Sequence, residues 1–139
     1  MKVLQISKKD SKKLGELDRK SVEIKSTYSK KDDDFCYGAF IDGKLISSAS
    51  FHLEKNPLIP DENQFCINEI INTDDNQPEE STKELLKTIF PIMRRNFTKV
   101  VWCKTTPQYQ GIFKDLDFKP LKTSTDSQGT QEIVMIKNL

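Results

Sequence analysis

Hydrophobic and polar positions in this chain repeat with two different periods, and the changes between them predict its elements. From Met1 to Ser7, Val3, Leu4 and Ile6 are interleaved with polar residues, as in a first strand. Asp10 or Ser11 can cap a following helix whose apolar positions Leu14, Leu17 and Ile24 recur at helical spacing, with Gly15 weakening it by about 1 kcal/mol. Ser26 to Asp34 is polar, ends in Lys30-Lys31-Asp32-Asp33-Asp34 and reads as a solvated loop. Phe35 to Ile41, Asp42-Gly43 and Lys44 to Leu53 make the clearest hairpin, because Asp-Gly accepts the positive φ angles of a type I′ turn. In its second arm Leu45, Ala49, Phe51 and Leu53 share one face, with Ile46, Ser48, Ser50 and His52 opposite.

Glu54 to Asn63 carries Pro57 and Pro60 and reads as a loop. Phe65 to Ile71 is then expected as a strand, Asn72 to Gln77 as a polar turn, and Pro78 as the first turn of a helix carrying Leu85, Ile89 and Met93. Pro91 should kink that helix or end it near Phe90. Lys99 to Cys103 reads as a buried strand, Pro107 opens a short helix through Leu116, and Phe118 to Leu121 begins another strand. After a polar turn at Ser124 to Gly129, Ile133, Val134 and Ile136 mark a closing strand. The order is β-α-β-β-β-α-β-α-β-β.

Composition narrows the classes of function. Hydrophobic residues at 35% and charged residues at 31% fit a soluble globular chain. A net charge of +1, from 22 Lys/Arg against 21 Asp/Glu, argues against nucleic acid as a partner. Cys36, Cys66 and Cys103 match no zinc spacing and are odd in number, so buried free thiols in a reducing cytosol are expected. No apolar stretch approaches a membrane span and the N-terminus is strand-like, which points to a cytoplasmic chain with no membrane partner. His52 has neither a serine–histidine–acid order nor metal spacing around it, so a structural or solvent-facing role is expected, with no metal site.

The order of elements resembles the GNAT superfamily of acyl-CoA N-acyltransferases over nearly the whole chain. Phe35-Cys-Tyr-Gly-Ala-Phe-Ile-Asp-Gly-Lys-Leu-Ile-Ser-Ser-Ala is similar to that family's second and third strands, and Gly111-Ile-Phe-Lys-Asp-Leu-Asp-Phe-Lys-Pro-Leu121 to its late helix and next strand. The resemblance implies an α/β (α+β) fold in one domain over residues 1–139, with a mixed central sheet of about six to seven strands and about four helices. It also implies acetyl-CoA as co-substrate, lying between the strand at Phe65 to Ile71, near Ile70 and Ile71, and the strand at Lys99 to Cys103. The partners are then acetyl-CoA and a small-molecule or protein amine, and a homodimer is compatible with the sequence. The alternative is a GNAT-fold binding or regulatory module that has lost acetyl-CoA.

Family members cradle the pyrophosphate with a Gln/Arg-x-x-Gly-x-Gly/Ala motif, where this chain reads Gln77-Pro78-Glu79-Glu80-Ser81-Thr82. Gln77 matches, and Gln77, Glu80, Ser81 and Thr82 are the expected cofactor-binding positions. Glu80 and Thr82 stand where small residues let the backbone approach phosphate. A carboxylate at ~5 Å from the pyrophosphate would cost roughly 3 kcal/mol of repulsion, about a hundredfold in affinity. Phe113 falls where the family has a tyrosine acid, leaving Tyr109, one turn earlier, as the candidate acid and Phe113 as a cofactor contact. Thr106 stands where Asn is common and Asp117 where Gly is. Glu69 lies at period two from Phe65, Ile67 and Ile71, so it is expected on an apolar face, where a desolvated carboxylate suits a general base. A position at a strand edge, or a pairing with a lysine of the facing hairpin, is the competing expectation for Glu69. The acids Asp74, Asp75, Glu79 and Glu80 also stabilise a helix N-terminus, by about 0.3–1 kcal/mol each.

Overall fold

Seven strands form one mixed sheet in the order β1-β2-β3-β4-β5-β7-β6, a topology the hairpin and the two crossover helices dictate. The computed structural model describes residues 1–16, 24 and 35–139. The strands are β1 (Lys2–Ile6), β2 (Phe35–Ile41), β3 (Lys44–His52), β4 (Gln64–Asn72), β5 (Val100–Thr105), β6 (Lys119–Thr125) and β7 (Gln131–Asn138). The helices are α1 (Lys8–Gly15), α2 (Pro78–Arg95) and α3 (Gln110–Asp115), so the expected element order holds, with three helices among the described residues. All neighbouring strands are antiparallel except β4 and β5.

Local chemistry accounts for most boundaries. Asp42 and Gly43 have φ of 51° and 79°, the pair of left-handed residues that a two-residue hairpin turn requires. The cap of α1 is Ser7, not Asp10 or Ser11: its hydroxyl accepts the Asp10 N–H at 3.1 Å, which places Asp10 in the first turn. Ile24 is not helical, since its backbone pairs with Thr105; Leu17 and Ser26 to Asp34 lie outside the described residues. Helix α2 continues through Pro91 to Arg95, so of the kink or end expected near Phe90 the end does not occur. Pro91 is exposed, while Leu85, Leu86, Ile89, Phe90 and Met93 form one buried stripe on both sides of it, and that burial outweighs the missing backbone hydrogen bond.

Two bulges reset the faces of the sheet. One makes Ile46 an extra residue opposite Ala39 and Phe40, so Leu45 stands beside Gly38 and Ile46 packs on the main core, the reverse of the period-two expectation. The second makes Asn68 an extra residue between the pairs Ser50–Glu69 and Phe51–Ile67. The main core lies on the face covered by α2 and α3, where Ala49, Phe51, Ile67 and Ile70 meet Leu85, Leu86, Ile89 and Phe113. On the other face Ser11 of α1 bonds Ser48 at 3.0 Å. A smaller cluster of Ile59, Cys66, Val100, Trp102 and Val134 packs there too. Trp102 donates its indole N–H to the Glu54 carbonyl at 3.1 Å, tying down the 53–63 loop. All three cysteines are buried free thiols, and burial pushes the Cys103 thiol well above its usual range.

Candidate functional site

Parallel strands β4 and β5 pair only at Gln64–Val100, Phe65–Val101 and Cys66–Trp102. Beyond Cys66, β4 carries on to Asn72 and β5 to Thr105 with no ladder between them, so the two strands diverge into an opening at the centre of the sheet. A diverging pair exposes backbone N–H and C=O groups on both inner edges, which must find partners elsewhere. The bulge at Asn68 lies where the divergence starts, as bulges that end a pairing commonly do. Because β7 takes the outer edge of Thr105, the Ile24 bridge lies on its inner edge, at the mouth of the opening. Immediately beyond, the Thr106 hydroxyl is buried with no hydrogen-bond partner among the described residues.

The Asn68 bulge also decides where Glu69 points. Ile67 and Ile70 both join the core under α2, whereas Glu69 pairs with Ser50 on the opposite, α1-facing side, in line with Ile71 opposite Ser48. Glu69 therefore leaves the Phe65–Ile67 face assigned by simple alternation and is half-buried beside the opening. Across β3, Ser50 contacts the Cys36 thiol at 3.2 Å, so Cys36, Ser50 and Glu69 form one row on that side. Tyr109 follows β5 as the cap residue of α3 and is half-buried against the main core.

The turn from β4 into α2 is built by side chains that satisfy its own backbone. Asn72 Oδ1 accepts the Asp74 N–H at 2.9 Å, and Asp74 Oδ1 accepts the N–H groups of Asn76 (2.9 Å) and Gln77 (3.4 Å). The Asn76 bond is the main reason the Asp74 carboxyl sits below its usual range. The Asn72 amide nitrogen reaches Pro78 O, Ser81 Oγ and Thr82 Oγ1 at 2.7–3.0 Å, pinning the first helical turn to the strand. Ser81 N–H is the first donor the helix closes on itself, at 3.0 Å to Gln77 O. Pro78 has no N–H, so the outward donors of the first turn are those of Glu79 and Glu80. Glu80 is exposed and pairs with Lys83 at 2.9 Å, and Lys83 also holds Asp115 of α3 at 2.9 Å. The Asp115 bond, seconded by Glu80, raises the lysine above its ordinary range.

The sequence-derived positions thus separate into three groups. Glu69 stands on the divergent part of β4 and faces the α1 side, whereas Tyr109 packs against the core on the α2 and α3 side; Ile70 and Ile71, also on the divergent part of β4, have buried side chains. Gln77 and Glu80 are exposed at the helix start, whereas the Ser81 and Thr82 hydroxyls face inward on Asn72. Phe113 is fully buried, its ring 5.3 Å from that of Phe118, so it packs the core and presents no surface to a cofactor. Sequence reading missed the Asn72 hub and the Lys83 bridge. The signal for the first was the Asx residue at every second position, Asn72, Asp74 and Asn76, which builds successive Asx turns. The second depends on α3 coming close to α2 and had no local signal.

A mixed seven-stranded sheet opening between one parallel pair, with a helix starting at the opening, is a fold this chain shares with solved GNAT acetyltransferases. It is similar to the uncharacterized N-acetyltransferase YitI of Bacillus subtilis (strain 168), with 27% identity over 109 residues, covering 78% of this chain and 73% of the relative. An N-acetyltransferase from Staphylococcus aureus Mu50 has the same fold at a TM-score of 0.69 and 14% identity, over 99% of this chain and 96% of the other. A GNAT family acetyltransferase from Elizabethkingia anophelis with acetyl-CoA bound matches at a TM-score of 0.61 and 15% identity, over 76% of each chain. No protein-family model matches the chain. Among the described residues, no helix is long and apolar enough to cross a membrane.

Proposed function

We propose that this chain is an N-acetyltransferase that moves the acetyl group of acetyl-CoA to an amine on a small molecule or protein. The observation that carries this reading is the unpaired divergence of β4 and β5, with the buried, unpartnered Thr106 hydroxyl at its end. An extended amide-containing arm fits such a gap because it offers donors and acceptors along strand edges that no β4–β5 ladder joins. The outward N–H groups of Glu79 and Glu80, at the positive end of α2, suit the diphosphate. Glu69 would take a proton from the amine, whose nitrogen attacks the thioester carbonyl. As the C–S bond breaks, Tyr109 would protonate the departing thiolate. Three buried free thiols suit work in a reducing cytoplasm.

One observation favours the alternative, a binding module without acetyl-CoA. The Asp74 carboxylate already accepts the turn's N–H groups at Asn76 and Gln77, so the chain supplies its own anion where a diphosphate would come. The two readings part on the thermal midpoint of the protein with acetyl-CoA added. Ligand at a hundred times its Kd should stabilise the fold by about 2.7 kcal/mol. An upward shift with millimolar acetyl-CoA, and CoA release when amines are added, are expected. No shift at that concentration would overturn the enzyme reading and leave the binding module.

A further inference from the structure

We infer that a second ligand site lies at the far end of α2, and that it takes a small organic anion carrying phosphate or carboxylate on an apolar body. A cleft of about 700 Å³ opens there between α2, the α3–β6 junction and the end of β7, inside the usual range of about 300–1,000 Å³ for small-molecule sites. Its floor is apolar, formed by Phe90, Pro91 and Leu116. Its rim carries four cations from two elements: Lys87, Arg94 and Arg95 on α2 and Lys137 on β7.

The cations are poised for a ligand. Lys137 Nζ donates to the Leu116 carbonyl at 2.8 Å and stands 5.8 Å from the centroid of the Phe90 ring. An ammonium has three donors, so two remain for an incoming oxygen. Lys87, Arg94 and Arg95 form no ion pair among the described residues. Of the side-chain carboxylates lining the cleft, Asp115 is engaged by Lys83 and Asp117 is not. Arg94 and Arg95 complement the helix C-terminus as well. That accounts for neither Lys87, two turns earlier, nor Lys137, on a different element. Lys87 lies nine residues past Pro78, roughly 14 Å along the helix axis, and Arg94 roughly 24 Å, so the cleft is separate from the β4–α2 turn.

Naphthyl phosphate is a suitable probe, since it joins a flat apolar body to a phosphate. Titrated into the full chain and followed by backbone amide NMR, it should saturate at one probe per chain and shift Phe90, Leu116 and Lys137, with the same affinity in millimolar acetyl-CoA. The double variant Lys87→Glu, Arg94→Glu, at two exposed positions, should weaken binding about tenfold while its thermal midpoint shows it folded. Naphthol, which lacks the phosphate, should bind much more weakly. Shifts confined to Asn72–Glu80, displacement by acetyl-CoA, or unchanged affinity in the folded double variant would each overturn the assignment. The Lys137→Gln variant, which can still donate to Leu116 O, is the second check, and undiminished binding there would likewise count against it.

Discussion

The opening between β4 and β5 and the turn between β4 and α2 share one strand, yet they are built by different means. The opening is a backbone feature, created where the ladder stops after Cys66 and the Asn68 bulge redirects the strand. The turn is a side-chain feature, held by Asn72 and Asp74 and surrounded by four carboxylates, Asp74, Asp75, Glu79 and Glu80. Packing under α2 fixes the first, because Ile67 and Ile70 are buried at either side of the bulge and a register slip would expose them. Nothing in the core fixes the identities of Asp75, Glu79 or Glu80, which are exposed. The opening is therefore tied to the core while the exposed acids of the turn are not, and on the proposed acetyltransferase reading the turn is the part whose side chains would limit cofactor affinity.

The strongest test of the opening is Glu69→Gln. If Glu69 is the base, kcat should fall by about 10²- to 10⁴-fold while the KM for acetyl-CoA holds. Steady-state rates over a pH series provide the check, and an unchanged kcat removes Glu69 from the chemistry. Asn72→Ala tests the join between the two regions. It leaves the buried Thr82 hydroxyl without its donor and should cost about 1–3 kcal/mol, read as a lower urea midpoint. A neutral outcome would mean that α2 is held by its buried stripe alone.

The fold was legible in the chain to the degree that its signals are local. The Asp42-Gly43 turn, the apolar run of β4 and the stripe on α2 each announce themselves within a few residues, and each is found where expected. The bulges at Ile46 and Asn68 were not legible, since they arise from how one strand meets its neighbours, and they moved Leu45 and Glu69 to the opposite faces. At Pro91 only the possible helix end is overruled: the local cost is real, but tertiary burial of Phe90 and Met93 carries the helix past it. At the candidate site, the acids were visible as a departure from the family motif. Their wider network was not, because Lys83, which holds Glu80, reaches Asp115 across 32 residues of chain. Phe113 looked like a site residue by its motif position and is spent on the core.

Asp74→Ala sharpens the contrast from the side of the turn. Removing this carboxylate frees the Asn76 and Gln77 N–H groups for an incoming anion, and acetyl-CoA affinity should rise about tenfold. Calorimetric titration measures it, and weaker binding would show that Asp74 shapes the cradle instead of occupying it. The pH dependence follows from the lowered carboxyl. A depressed folded pKa means that the turn's stabilisation is present above the ordinary carboxylate range and is lost as pH falls through the lowered value. In wild type, the Asn76 and Gln77 amide resonances should therefore move in strong acid, and in Asp74→Ala that movement should vanish.

The smallest effect is expected at Glu80, even though its charge beside a diphosphate looked costly in the sequence. Its carboxylate is exposed and lies 2.9 Å from the Lys83 ammonium, so solvent and a counter-charge both screen it. Glu80→Gly should then raise acetyl-CoA affinity only about threefold, well short of the hundredfold that an unscreened charge implies. The same change removes a favourable first-turn acid, worth about 0.3–1 kcal/mol to the helix, so a small loss in thermal midpoint should accompany it. Glu80→Gln separates charge from bulk at this position. Equal gains from Gln and Gly would assign the effect to charge. A gain from Gly alone would assign it to the Cβ and side chain that hold a phosphate away from the backbone. A hundredfold gain from either would mean that Lys83 leaves Glu80 when the diphosphate arrives, and that the turn's acids, and not its backbone, limit binding.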